Sequence, residues 1–464
     1  MLTQSVLDIL CQKLGKENVV FEKEDLLVLG YDATPGLHHA PDVVVYPTST
    51  EGVQTALQIA REEGLPITPR GSGSGLSGGS IPVRGGMVIC LNRMNKILEI
   101  DEENLTVTAE AGVITLDMAN AVLKKGLYYP PDPASQKIST IGGNVMEDAG
   151  GLRCLKYGVT GDYVMALKCV LPDGSIITTG GKNVKDVAGY SFKDLLISSE
   201  GTLAIITEIT FRLIPPPQTR QTLLAYFDDI KTAGKAVSEI IAAKIIPSTM
   251  EIMDKTTINC VEDYVKIGLP REIAALLLIE VDGHPAVVEE EYTGIQRVLK
   301  QVKATEIHLA ANEEEALELA TARRVALSAM ARVSPSTLME DATVPRSYMA
   351  QTFAEIEQLA KKYDLTVGTF GHAGDGNLHP TVLCDERDAD QMKRAHAFFD
   401  DLYTKVLEWG GTVSGEHGIG LAKKDYLARQ VGPGGIAVMK RIKNAFDPDG
   451  ILNPGKIFFD DQES

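Results

Sequence analysis

The sequence predicts an α+β protein built as two or three domains. Its 464 residues are too many for one ordinary hydrophobic core, and an apolar share of 44% is normal for a globular chain. From about residue 40 to residue 214, short β-branched runs alternate with glycine turns. Pro215-Pro216-Pro217 then stops the pattern, because three prolines can continue neither a helix nor a central strand. Beyond them, strands alternate with longer helices.

The first residues, Met1 to Asp8, read as the start of an amphipathic helix. Strands follow at Val43 to Tyr46, Met87 to Leu91, Leu105 to Thr108 and Leu203 to Thr207. Helices are expected between them, from Glu51 to Glu63 and from Leu116 to Lys125. The second stretch, about 218–412, offers strands at Leu223 to Phe227 and Ala275 to Val281. Its helices are Ile230 to Ala243, Val287 to Lys300 and Met392 to Glu408. The last fifty residues hold a helix near Ile436 to Phe446 and a proline–glycine tail through Asn453.

Composition removes several functional classes. The most apolar run, Ala274 to Val281, is far shorter than the roughly 20 residues a membrane helix needs. The N-terminus lacks the basic segment of a signal peptide and the Arg/Ser richness of a transit peptide. Six cysteines (Cys11, Cys90, Cys154, Cys169, Cys260 and Cys384) lie far apart with no C-x-x-C pair. That argues against a zinc ribbon, an iron–sulfur cluster or a disulfide framework, and a cytoplasmic setting is expected. A net charge of −18 would repel nucleic acid and anionic membranes.

The densest glycine run is Pro69-Arg70-Gly71-Ser72-Gly73-Ser74-Gly75-Leu76-Ser77-Gly78-Gly79. It contains G-x-G-x-x-G at Gly73, Gly75 and Gly78, the spacing of a Rossmann dinucleotide loop. That motif needs a helix directly after the glycines and an acidic residue about 20 positions on. Here Ile81-Pro82-Val83-Arg84-Gly85-Gly86 and a strand follow, and Arg93 stands where the acid should be. The Rossmann reading fails. Consecutive backbone N–H groups in such a loop can still form an anion nest for a pyrophosphate; a mobile surface loop is the plainer alternative.

Further motifs decide between them. The loop resembles the pyrophosphate loop of the vanillyl-alcohol-oxidase-type FAD-binding fold. So do Pro130-Pro131-Asp132-Pro133-Ala134-Ser135, Thr140-Ile141-Gly142-Gly143-Asn144, Gly150-Gly151-Leu152-Arg153, Lys156-Tyr157-Gly158-Val159-Thr160, Asp186-Val187-Ala188-Gly189-Tyr190 and Glu200-Gly201-Thr202-Leu203. Within that fold the chain is similar to the FAD-linked D-2-hydroxyacid dehydrogenases over nearly its whole length.

The resemblance implies an FAD-binding domain over 1–217, an inserted α/β substrate and metal (cap) domain over 218–412, and a C-terminal segment, 413–464, that returns to the FAD domain. It implies FAD contacts from Pro69, Arg70, Gly71, Ser72, Gly73, Ser74, Gly75 and Leu76, and from Pro131, Asp132, Ser135, Thr140, Gly142, Gly143 and Asn144. Gly150, Gly151, Tyr157, Gly158, Val159, Glu200, Gly201, Ile205, Ile206 and Asn453 complete the set. Relatives that tether flavin in this loop use a histidine, whereas Ser72 and Ser74 stand here, so FAD is expected to bind non-covalently.

Two segments of the second half carry the remaining chemistry. Thr369-Phe370-Gly371-His372-Ala373-Gly374-Asp375-Gly376-Asn377-Leu378-His379 reads as a hairpin with a four-residue turn at Ala373 to Gly376. That register pairs His372 with Asn377 and puts His379 on the same face. Diagonal neighbours sit about 7–8 Å apart at the backbone, within reach of one ion. The second segment is Ser414-Gly415-Glu416-His417-Gly418. His372, His379 and Glu416 would form a two-histidine, one-carboxylate site, a set also found in non-haem iron oxygenases. Taken alone, buried structural histidines and a solvated turn explain the same residues.

The resemblance makes His372, His379 and Glu416 the ligands of a divalent metal, with zinc, iron and manganese all open, and His417 the base. It places Arg323 at the substrate carboxylate, where a guanidinium can bind in two-point fashion. Relatives acting on D-2-hydroxyglutarate use a lysine for the distal carboxylate, and Leu338-Met339-Glu340-Asp341 offers none, so D-lactate or glycolate fits better. Electrons are expected to leave for a separate protein, an electron-transfer flavoprotein before an iron–sulfur subunit. The rival readings are a non-catalytic flavin-binding subunit and a same-fold oxidoreductase acting on another alcohol.

Overall fold

Val43–Val45 and Ile67–Arg70 each pair in parallel with Met87–Cys90, and Val19–Val20 adds an antiparallel edge to this four-stranded sheet. The structure, a computed structural model, describes residues 2–459. The parallel strands are buried almost throughout, as β-branched runs without polar alternation demand. The helix Thr50–Glu62 joins two of them. Ser49 caps it by accepting the Gly52 N–H, and Val53, Ala56, Leu57 and Ala60 form its fully buried stripe. Each such valine or leucine contributes about 1.5–3 kcal/mol by leaving water.

A five-stranded antiparallel sheet shares that core, in the order Ile97–Asp101, Thr106–Glu110, Ile205–Arg212, Val164–Val170, Ile176–Gly180. These elements form one compact unit of the chain, made of 1–149, 159–216 and 416–464.

The second unit is 150–158 with 217–415. Its eight-stranded sheet runs Glu306–Leu309, Thr219–Phe227, Ala275–Gly283, Thr249–Asp254, Thr366–His372, Asn377–Cys384, Ser336–Met339, with Ala342–Thr343 also on Asn377–Cys384. The expected alternation of strands and helices is present, and every ladder is antiparallel. On one face Leu224, Tyr226, Met253, Leu276, Phe370 and Leu383 pack under the helices Lys255–Val265, Glu313–Arg324 and Ala326–Met330. By the two-residue period, Thr222, Thr249, Glu251, Glu280, His372 and His379 continue this same face. The apolar face thus becomes polar toward one end.

The division at Pro216 and Pro217 falls within the proline triplet. It differs from the expected domains in that Gly150–Gly158, Pro217 and Val413 to Gly415 go with the second unit. Met1 and residues 460–464 of the expected terminal segments lie outside the described residues.

Candidate functional site

In the first unit, the strand Ile67–Arg70 ends directly at the glycine loop. Arg70 is buried and folds back under it, with Nη1 donating to Ser80 Oγ at 3.2 Å. Two glycines are obligatory for different reasons. A Cβ on Gly71 would lie 2.3 Å from Thr140 Oγ1; Gly73 has φ +71, and its Cβ would meet Arg70 Nη2 at 2.0 Å. Among the described residues, no backbone N–H from Gly71 to Gly79 donates to a protein acceptor, and the fully buried Ser77 Oγ has no hydrogen-bond partner. A run of unspent donors of this kind fits a pyrophosphate.

Several expected cofactor residues gather around this loop. Thr140 touches Gly71 and caps the helix Ile141–Glu147 through the Gly143 N–H, while Asn144 donates to Thr115 Oγ1 at 2.7 Å. Gly201 packs on Pro69, and Asn453 Nδ2 donates to Gly79 O and Glu200 O. Asp132 is buried and Ser135 half-buried, both on the loop before that helix. Ile205 and Ile206 are core residues of the five-stranded sheet, so their side chains serve packing. Gly150, Gly151, Tyr157 and Gly158 are not brought to the loop within this unit. In the second unit, Tyr157 donates to Asp282 at 2.9 Å and Lys156 pairs with the same carboxylate.

The Glu416–His417 turn is also tied to the glycine loop. Ile419 and Gly420 N–H donate to the two oxygens of Glu200 at 2.7 and 2.6 Å, and Leu421 and Ala422 N–H donate to Ser77 O. Glu147 lies beside them: a Cβ on Gly418 would meet its Oε2 at 2.0 Å. Burial, then the Glu200 charge, push the Glu147 carboxyl well above the usual range, and burial raises Glu200 as well. His417 therefore stands two residues before a backbone anchor on Glu200 and four before one on Ser77 of the glycine loop.

In the second unit the hairpin forms with the expected register, His372 opposite Asn377 and Phe370 opposite His379. The two imidazoles are buried, with ring centroids 5.3 Å apart at 87°. Three groups that sequence reasoning missed surround them. Glu251 is 1% exposed, receives His372 Nδ1 on Oε1 at 2.7 Å and pairs through Oε2 with Arg323 Nη2 at 2.7 Å. Burial would raise its carboxyl, but the His372 and Arg323 charges outweigh that and hold it below its ordinary value. Asp341, fully buried, stands 3.9 Å from His379 Nδ1 and accepts from Ser414 Oγ and the Gly415 N–H at 2.9 and 2.7 Å. Asn377 turns a buried Oδ1 with no hydrogen-bond partner onto the same face as His379.

Asp341 thus fixes the last residue before Glu416. Gly415 must be glycine: a Cβ there would lie 2.3 Å from Thr343 Oγ1. Arg323 is buried against Glu251 and over the Phe370 ring at 4.7 Å, whereas its neighbour Arg324 lines a cavity of about 430 Å³ with Arg220, Thr222 and Thr249. Two buried imidazoles with a carboxylate at one Nδ1 are a donor set suited to a divalent ion at the opposite nitrogens. No single spacing in the sequence announces Glu251 or Asp341, which lie 121 and 38 residues from the histidines they face.

Comparison with known proteins finds two matching families. Residues 41–180 match the family model of the FAD binding domain, and residues 216–457 match that of the FAD linked oxidases, C-terminal domain. Glycolate oxidase subunit GlcD of Bacillus subtilis is 52% identical over 99% of this chain and 98% of its own. The D-lactate dehydrogenase of Anaerostipes hadrus is 38% identical over 90% of each. Among solved structures, p-cresol methylhydroxylase with substrate bound superposes with a TM-score of 0.82 at 20% identity, covering 100% of this chain and 99% of that one. At that identity it speaks for the fold alone: the vanillyl-alcohol-oxidase-type FAD-binding fold. The chain belongs to the FAD-linked oxidases, and it is an FAD-linked oxidoreductase of the 2-hydroxyacid dehydrogenase group.

Proposed function

We propose that the protein oxidises a small D-2-hydroxy acid, D-lactate or glycolate before others, to the 2-oxo acid with non-covalent FAD and one divalent metal. The observation that carries this is the buried pair His372 and His379 at 5.3 Å, on the unit whose chain runs through the anchored Gly415 into Glu416 and His417. Names borne by the relatives, glycolate oxidase subunit and D-lactate dehydrogenase, support the substrate class.

His372, His379 and Glu416 would hold the ion, which when bound lowers the pKa of a coordinated hydroxyl. His417 takes the hydroxyl proton, as a positioned imidazole can. Arg323, one arm of which is on Glu251, offers charge to the substrate carboxylate. Bound FAD would supply the acceptor for the C2 hydrogen and two electrons. They leave by a separate protein, an electron-transfer flavoprotein before an iron–sulfur subunit: no helix among the described residues is long and apolar enough to cross a membrane, and the glycine loop leads into a strand rather than a Rossmann helix. A cytoplasmic setting belongs to the same proposal.

The test is a panel of 2-hydroxy acids with the purified FAD-loaded chain and a dye acceptor, read beside metal analysis. Dye reduction with D-lactate or glycolate, lost on chelation, is expected. Full activity in rigorously metal-free protein would remove the metal from the mechanism. Rapid NADH formation from NAD by this chain alone would remove the separate acceptor.

A further inference from the structure

We propose that Glu251 is the positioning residue of this site, a buried carboxylate that fixes His372 in the Nδ1–H tautomer and ties it to Arg323. The inference rests on the metal reading above. Glu251 and His372 are direct cross-strand partners in the ladder between Thr249–Asp254 and Thr366–His372, so the sheet itself sets the pair. Its two oxygens are divided: Oε1 faces His372 Nδ1 and Oε2 faces Arg323 Nη2, both at 2.7 Å.

A carboxylate can only accept, so the His372 nitrogen at 2.7 Å must carry the hydrogen. In the neutral imidazole, the form that ligates a metal, that leaves Nε2 with its lone pair for an ion. Arg323, 3% exposed, keeps a compensating charge against the 1%-exposed carboxylate, since a lone buried charge is strongly unfavourable. The guanidinium also lies over Phe370, the strand partner of His379, at 4.7 Å. Glu251 therefore ties the helix Glu313–Arg324 to the strand that carries both His372 and Phe370.

The test uses the full-length protein with FAD bound. In Glu251→Gln, one arm of the amide is a donor, so either His372 loses its acceptor or Arg323 meets an N–H₂. The Zn²⁺ dissociation constant, measured by competition with a chromophoric chelator, should rise about 10–100-fold, the usual cost of losing such a partner. In metal-free protein, ¹⁵N-histidine NMR should show His372 as the Nδ1–H tautomer in the wild type and as a mixture in the variant, with the flavin spectrum unchanged in both. Glu251→Asp, which keeps the charge, should recover part of the affinity. Should Glu251→Gln lose its fold, the double variant Glu251→Gln/Arg323→Met, free of the uncompensated charge, carries the same measurements. Zn²⁺ affinity within twofold of wild type and an unchanged tautomer would overturn the proposal. Failure of the wild type to bind Zn²⁺, Mn²⁺ or Fe²⁺ would instead overturn the metal reading, and the tautomer measurement would still decide the role of Glu251.

Discussion

His417 and the pair His372 and His379 are asked to do different things, and their surroundings differ accordingly. His372 is enclosed and bonded to a carboxylate, a setting that orients a ligand. His417 is only partly buried, on a turn whose backbone is tied to Glu200 and Ser77. An imidazole that must take up a proton and release it needs such access. His417→Asn should therefore lower turnover by roughly 10²–10⁴-fold, the range for a positioned general base, with bound metal and flavin retained. Stopped-flow reduction of the flavin by D-lactate measures this, and a near-normal rate would assign the proton to another group. The hairpin histidines were legible because a four-residue turn fixes the register on either side of it. Glu251 was not, because nothing local links it to a histidine 121 residues away.

At the scale of elements, loops and caps hold the site in place. Gly71→Ala would drive a methyl group into Thr140 Oγ1, the group that caps Ile141–Glu147. Relief requires moving the loop or the cap, so FAD affinity should drop at least about tenfold, the equivalent of 1.4 kcal/mol. Flavin fluorescence on dilution reads this directly, and unchanged retention would show the loop is not the cradle.

The helix Lys255–Val265 makes a second test. Its cap, Asp254, accepts the Thr257 and Thr369 N–H groups at 2.8 Å each, yet burial pushes its carboxyl from 3.8 up to about 6. A raised carboxyl pKa means the folded chain holds this proton more tightly than the unfolded one. The group's stability contribution is then greatest below pH 3.8 and is lost as pH rises to 6; the interval corresponds to about 3 kcal/mol. Asp254→Asn should be less stable overall, having lost one acceptor, but should lack this decline between pH 4 and 6 in urea unfolding. Parallel curves for the two proteins would refute the assignment. Helix boundaries were mostly readable from apolar period and caps. Among the helices named from the sequence, Lys424–Phe446 differs most, since only the part after Ile436 was expected. Its backbone breaks at Gly432 (φ 68), before Pro433, and resumes as helix.

For the whole molecule, acid precipitation should release yellow FAD into the supernatant, because Ser72 and Ser74 stand in the loop where a tether would need a nucleophilic imidazole. Flavin retained in the pellet would show a covalent bond elsewhere. The sequence by itself determined the α+β class, the break at the proline triplet, the glycine loop and the two histidine-bearing motifs. Each of these is written in local period, turn chemistry or a short contiguous run. Strand direction was not, since alternating helices and strands suit parallel and antiparallel sheets alike, and the second unit proved antiparallel throughout. Nor did sequence show that Gly150–Gly158 leaves its neighbours for the second unit, where Lys156 and Tyr157 meet Asp282. Tertiary structure alone placed Glu251 behind His372 and Asp341 beside His379 and Gly415. Partners of that kind are chosen by which strands lie side by side, and that order is settled by burying the apolar half of one sheet face rather than by any residue's neighbours in the chain.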